Sequence, residues 1–305
     1  MVKMNITEKI SKLKKEKNAI ILAHNYQLPE VQDIADYQGD SLGLSVEASR
    51  TKADIIIFCG VYFMAETAKI ISPKKRVLIP DKNAGCPMAN MITVEELKNV
   101  KAKHPGMKTL CYVNSSAEVK AESDICCTSA NAVMIAERAF NAEDMIMFIP
   151  DRHLGRYAAT KVKRNFSFWP GYCPTHLRIL PEYILEQKKK HPQACVLVHP
   201  ECPQDVIDIA DQVFSTGGMS KFVAKSSHKE FIIGTETGML YRLKQDNPDK
   251  EFYAAADIAV CPNMKKITLD KILMALTEMC YEVTLSEDII EKAKKSIMKM
   301  IEYVD

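Results

Sequence analysis

A chain of 305 residues, 47 % apolar and 26 % charged, is long enough for two or three domains with several cores. Its net charge of +2, with no block of one sign, gives no reason to expect a nucleic-acid surface and points to a small ligand. No run has the length of a membrane span or a signal-peptide core, so a cytoplasmic protein is expected, whose ten cysteines are fillers, reactive thiols or metal ligands rather than disulfides.

In chain order, the opening "MVKMNITEKISKLKKEKN" reads as an amphipathic helix and "AIILAHNYQ" as a buried strand. A short helix "LPEVQDIADYQ", the triplet "GDS", a strand and helix "ADIIIFCGVYFMAETAKI" and a last strand then lead to Cys86 in "AGCPMAN". The same order recurs from "TVEELKNVKAKHPG" through "KTLCYVNSS", "SAEVKAES", "CTS" and "EDMIMFIPDRHLGRYAATK" to Cys173 in "GYCPTH". It recurs again from "PEYILEQKKKHPQ" through "CVLVHPECP", "PQDVIDIADQV", "FSTGG" and "EFIIGTETGMLYRLKQ" to Cys261 in "AVCPNM". The three cysteines are 87 and 88 residues apart, and His24 to Ser41, Tyr112 to Ser129 and His199 to Thr216 each span 17 residues. The pattern predicts three similar α/β/α domains with parallel sheets, related by a pseudo-threefold axis around a central site. Their expected limits are 1–88 together with the C-terminal helices of 262–305, then 89–174 and 175–261.

In such sheets ligands bind beyond the carboxyl ends of the strands, where His24, Asn25, Tyr26, Tyr112, Asn114, His199, Glu201 and the three cysteines fall. A histidine or tyrosine there can equally cap a turn; the shared 17-residue offset weighs against coincidence. Cys59, Cys111, Cys126, Cys127, Cys195 and Cys280 read as buried fillers, and Cys202 is expected to point away from the side that Glu201 faces. Ser41 and Ser129 fit as helix N-caps, although converging helix N-termini would also bind carboxylate or phosphate. "STGGM", residues 215–219, is the best phosphate cradle, since neither a Walker A loop nor G-x-G-x-x-G occurs. With no close-paired zinc or ferredoxin spacing, any metal site must be assembled from distant segments.

The stretches "ILAHNYQLPEVQDIADYQGDS", "YVNSSAEVKAESD", "TSANAV", "GYCPTH", "VHPEC", "STGGM" and "AVCPNMK" resemble, in order and across nearly the whole chain, the signatures of the quinolinate synthase family of de novo NAD biosynthesis. The resemblance implies condensation of iminoaspartate with dihydroxyacetone phosphate to quinolinate, phosphate and water. It also implies a [4Fe-4S] cluster on Cys86, Cys173 and Cys261, with one iron open to act as a Lewis acid in dehydration. Carried over residue by residue, it assigns iminoaspartate contacts to His24, Ser41, Tyr112, Val113, Asn114 and Ser129, and to His199, Pro200, Glu201 and Thr216. Tyr26 and His176 become further polar groups of the cavity, and Tyr26, His199 and Glu201 the acids and bases. The implied partners are the two small substrates and an aspartate-oxidising enzyme that supplies iminoaspartate, with no nucleic acid and no membrane. One departure is Gly85, where threonine is expected before the cysteine. The alternative is an iron–sulfur electron-transfer protein, which would saturate every iron with thiolate.

Overall fold

Apolar, β-branched runs such as Ile55–Cys59, buried along their whole length, can only lie in sheets covered on both faces. The computed structural model describes residues 4–303, which leaves the first three residues of the opening helix and the last two of the chain outside the description. In the first unit α1 (Ile6–Glu16), β1 (Ala19–His24), α2 (Pro29–Asp33), β2 (Tyr37–Gly39), α3 (Ser41–Arg50), β3 (Ile55–Cys59), α4 (Tyr62–Ile71) and β4 (Arg76–Leu78) follow one another. The second runs α5 (Val94–Lys103), β5 (Lys108–Tyr112), α6 (Ala117–Ala121), β6 (Ile125–Cys127), α7 (Ala132–Arg138), β7 (Met145–Ile149), α8 (Arg152–Lys161) and β8 (Asn165–Phe168). The third runs α9 (Pro181–Lys190), β9 (Cys195–Val198), α10 (Gln204–Asp208), β10 (Gln212–Val213), α11 (Thr216–Lys225), β11 (Glu230–Gly234), α12 (Met239–Asp246) and β12 (Glu251–Ala254). Two further helices, α13 (Leu269–Glu278) and α14 (Glu287–Ile301), close the described chain.

The strand orders β2-β1-β3-β4, β6-β5-β7-β8 and β10-β9-β11-β12 are one topology used three times, and every paired strand is parallel. The expected α/β architecture of three similar domains is therefore present. Helix α13 packs on α1, whereas α14 lies across α6 and β6 and also touches α4, so the C-terminal helices divide between the first two units.

Two hydrogen bonds repeat with the fold. The first fastens the short second strand: Asp36, Asp124 and Asp211 each accept the N–H of a residue in the neighbouring first strand, Ile21, Thr109 and Val196, at 2.8 Å. The second fastens each cysteine loop, because the N–H of Tyr62, Arg152 and Thr237 donates to the carbonyl two residues before the cysteine, Ala84, Gly171 and Ala259, at 2.8, 2.9 and 3.1 Å. These donors lie three residues beyond the third strand of each unit, so the strand ends carry the cysteines.

The capping assignment differs from expectation. Asp40, Asn131 and Ser215 hold the N-cap positions of α3, α7 and α11, and Ser41 and Thr216 are the first helical residues. Asp40 wins because its carboxylate accepts the Gly43 N–H at 2.9 Å, which frees the Ser41 hydroxyl to face inward. Among the described residues no helix is long and apolar enough to cross a membrane.

Gly171 marks the tightest of the three cysteine loops: a Cβ there would lie 2.4 Å from the Pro150 carbonyl oxygen, whereas alanine is accepted at the matching Ala84 and Ala259. Gly171→Ala is expected to cost about 1–3 kcal/mol in urea unfolding. An unchanged midpoint would show that the loop is free to move.

Candidate active site

The strand ends of all three units line one cavity of about 630 Å³. The first unit contributes His24, Tyr26, Ser41 and Cys86; the second Tyr112, Asn114, Ser129 and Cys173; the third His176, His199, Glu201, Thr216 and Cys261. Three residues named from the sequence stand apart. Val113 is buried in the core, and Asn25 and Pro200 lie on a second, outer groove of about 1720 Å³ that also includes Asp40 and Ser129. The side chains of Val61, Phe63 and Met64 form an apolar wall.

Glu201 organises the polar groups. Its Oε1 accepts from the Tyr112 hydroxyl at 2.5 Å, and its Oε2 lies 2.7 Å from His176 Nδ1. On its other side His176 Nε2 meets the Thr235 hydroxyl at 2.8 Å, and that hydroxyl meets Tyr26 Oη at 2.5 Å. Tyr112, from the second unit, and Tyr26, from the first, are thereby joined through Glu201, His176 and Thr235.

The two strand-end histidines are held alike. His24 Nδ1 accepts the Tyr26 N–H at 3.2 Å and His199 Nδ1 accepts the Glu201 N–H at 3.3 Å. A ring nitrogen that accepts from the backbone carries no proton of its own, so in both rings the proton is on Nε2. In His199 that nitrogen is 3.2 Å from the Ser129 hydroxyl. Desolvation pushes both histidines down to about 3, against the pull of Glu201. It pushes the phenols of Tyr26 and Tyr112 well above their ordinary range, with Glu201 adding to the effect. Burial alone would raise Glu201, but the imidazole of His176 overrides it and holds the carboxyl well below the usual carboxylate range. Near neutral pH the Glu201 carboxylate therefore stands among the neutral N–H groups of His24 and His199 and the neutral hydroxyls of Tyr26 and Tyr112.

The cysteines separate into two groups. Cys86, Cys173 and Cys261 are partly exposed on the cavity, whereas Cys59, Cys111, Cys126, Cys127, Cys195 and Cys202 are buried, and Cys280 lies outside the lining. Cys202 turns its sulfur to the Gly234 carbonyl at 3.5 Å, away from Glu201. Backbone N–H groups of Ala89, His176 and Met264, each three residues on, act to lower the Cys86, Cys173 and Cys261 thiols against desolvation. Desolvation raises all three thiols, Cys86 to about 12, so a metal must displace their protons, and the N–H groups are placed to stabilise the resulting thiolates. Three soft donors from three units lining one cavity fit an iron–sulfur cluster with three protein ligands. Cys173, His176 and Glu201 also bring one ligand atom each within 4.8 Å of one another.

Some functional groups escaped the sequence. Thr235 and Glu236 follow the third strand of their unit, an end that the repeat marks as clearly as the first strand's. The glycines of "STGGM" have a packing role that the sequence did not show. A Cβ on Gly217 would lie 2.5 Å from Asp40 Oδ2, and the Gly218 N–H is taken by Ser215 Oγ at 3.1 Å, so the glycines let α11 approach α3.

The family model described as "Quinolinate synthetase A protein" matches residues 8–302. The chain is 52 % identical over 299 residues to a quinolinate synthase of Dehalococcoides mccartyi, with 98 % of each chain covered. It is 53 % identical over 296 residues to one from Geobacter metallireducens, covering 97 % of each. To one from Caldicellulosiruptor saccharolyticus it is 49 % identical over 298 residues, covering 97 % of this chain and 98 % of the other.

The depressed histidines set a pH dependence. Below about pH 6.5 the unfolded chain binds protons that folded His24 and His199 refuse until about pH 3. Stability is therefore lost as pH falls, at up to about 1.4 kcal/mol per pH unit for each histidine. Urea unfolding of the metal-free protein at pH 7.5 and 5.5 should show a larger loss in the wild type than in His24→Gln/His199→Gln. Equal losses would contradict the assigned charge states.

Proposed function

The chain belongs to the quinolinate synthase family and has a quinolinate synthase's place in NAD biosynthesis, and from that premise we propose how it works. It is a cytoplasmic, iron–sulfur-dependent transferase. It condenses iminoaspartate, supplied by an aspartate-oxidising enzyme, with dihydroxyacetone phosphate to give quinolinate, phosphate and water. The observation that carries this reading is the convergence of Cys86, Cys173 and Cys261 on the cavity that also holds Glu201 and both neutral histidines.

Cys86, Cys173 and Cys261 would hold a [4Fe-4S] cluster, which supplies Lewis acidity for dehydration at an iron without a protein ligand. Cys202, the natural fourth thiolate of a closed electron-transfer cluster, is buried against Gly234. That counts against the electron-transfer alternative.

The remaining chemistry falls to the polar groups. The Nε2–H groups of His24 and His199 and the hydroxyls of Ser41, Ser129 and Thr216 donate to the carboxylates of iminoaspartate. The N-terminus of α11 adds its positive dipole end beside Thr216. Asn25 Nδ2 donates to Thr216 Oγ1 at 2.9 Å, orienting that hydroxyl. Glu201, kept ionised, removes the proton from the carbon that forms the new bond. Tyr112 returns protons beside it, and Tyr26, kept protonated by the desolvation that raises its pKa, does so across the cavity. Val61, Phe63 and Met64 exclude water while the ring closes.

An anaerobic assay should detect quinolinate from iminoaspartate and dihydroxyacetone phosphate. Glu201→Gln should retain the cluster and slow turnover by about 100-fold or more, the scale of a positioned base. Near-normal turnover would reduce Glu201 to a turn-holding role. Cys86, Cys173 or Cys261 replaced singly by Ser should lose the cluster, whereas Cys202→Ser should keep it. Iron and sulfide analysis separates these outcomes.

A further inference from the structure

Glu236 is fully buried in the wall of the cavity, and the reaction described above makes no use of it. Its carboxylate is saturated with donors. Oε1 accepts the backbone N–H of Cys261 at 3.1 Å and lies 2.9 Å from Lys265 Nζ, while Oε2 accepts the Gly238 N–H at 2.8 Å. The Lys265 ammonium also donates to the Tyr26 carbonyl of the first unit at 2.5 Å. The packing leaves no slack: a Cβ on Gly238 would fall 2.7 Å from Lys265 Nζ, 2.8 Å from Glu236 Oε2 and 2.9 Å from the Tyr26 carbonyl carbon.

The repeat shows that this arrangement is particular to one unit. Val61, Asp151 and Glu236 occupy the same slot, two residues past the third strand and one before the amide that pins the cysteine loop. Val61 has no polar group to offer, and Asp151 spends Oδ1 on the N–H groups of His153 and Leu154 at the start of α8. Of the three, Glu236 alone reaches the amide of its cysteine. All three loops share the backbone bond, and among these slots only the third adds a buried charge on the amide of its cysteine.

We propose that Glu236 is a positioning residue for the third thiolate of the cluster, and that the Glu236–Lys265 pair sets the cluster's reduction potential. The inference rests on the iron–sulfur reading above. Removing an N–H acceptor from beside Cys261 loosens that ligand. Removing either charge leaves its partner unneutralised next to the iron, and the two losses act in opposite senses. A lone ammonium favours the more negative, reduced cluster, and a lone carboxylate favours the oxidised one.

The test uses full-length wild type, Glu236→Gln, Glu236→Ala and Lys265→Met, reconstituted anaerobically with iron and sulfide. Iron per chain, the cluster's electron paramagnetic resonance signal and its midpoint potential are read, with metal-free melting temperatures as a folding control. Glu236→Gln keeps an acceptor for Cys261 and should load iron but shift the potential upward. Lys265→Met should shift it downward, and Glu236→Ala should lose at least half of its iron. A disturbance of packing alone would not give shifts of opposite sign. Potentials that do not move, or that move in the same direction, overturn the proposal, as does wild-type iron loading in Glu236→Ala. A wild type that takes up no iron overturns the cluster reading itself, and this inference with it, and is recognised because the unsubstituted protein fails.

Discussion

One backbone hydrogen bond, made three times, holds the candidate site together. The amide three residues past the third strand of each unit meets the carbonyl two residues before the cysteine, at Tyr62 and Ala84, Arg152 and Gly171, and Thr237 and Ala259. Parallel strands send their carboxyl ends in one direction. This bond then fixes where the loop beyond the fourth strand returns, and with it the place of each cysteine on the cavity. Because both partners are main-chain atoms, the donor residues can be as different as tyrosine, arginine and threonine without moving the thiols.

The electrostatics follow from the same convergence. Bringing three sets of strand ends to one enclosed place removes water, and desolvation then decides which groups keep a charge. His24 and His199 lose theirs and become donors through Nε2. Tyr26 and Tyr112 stay protonated. Glu201 keeps its charge because His176 and Tyr112 approach its two oxygens directly. Fixed neutral donors of this kind suit an anionic ligand without isolated cations in the interior, since preorganised dipoles need no reorientation when charge moves.

Much of this was legible in the sequence because the repeat is carried by spacing. The even separation of Cys86, Cys173 and Cys261 and the 17-residue offsets located the units, the strand ends and most of the lining. Asp36, Asp124 and Asp211 keep the same 88- and 87-residue spacing but read as ordinary surface acids, since their role is a hydrogen bond to an adjacent strand. Thr235 and Glu236 were hidden because their partners, His176, Tyr26 and Lys265, come from other segments. The glycines of "STGGM" gave no sign of their packing role, which appears only when Asp40 of the first unit is seen beside Gly217. A contact between units leaves no local signature, so an unaligned sequence shows the glycine but not its reason.

The central claim is that the three units jointly bind one cluster through one cysteine each. It is tested most directly by anomalous X-ray scattering at the iron edge from crystals of the anaerobically reconstituted protein. The account predicts a single four-iron peak in the central cavity, bonded to the sulfurs of Cys86, Cys173 and Cys261, with the fourth iron free of cysteine. Iron bonded to Cys202, iron outside this cavity, or a cavity without iron in the active protein would contradict it.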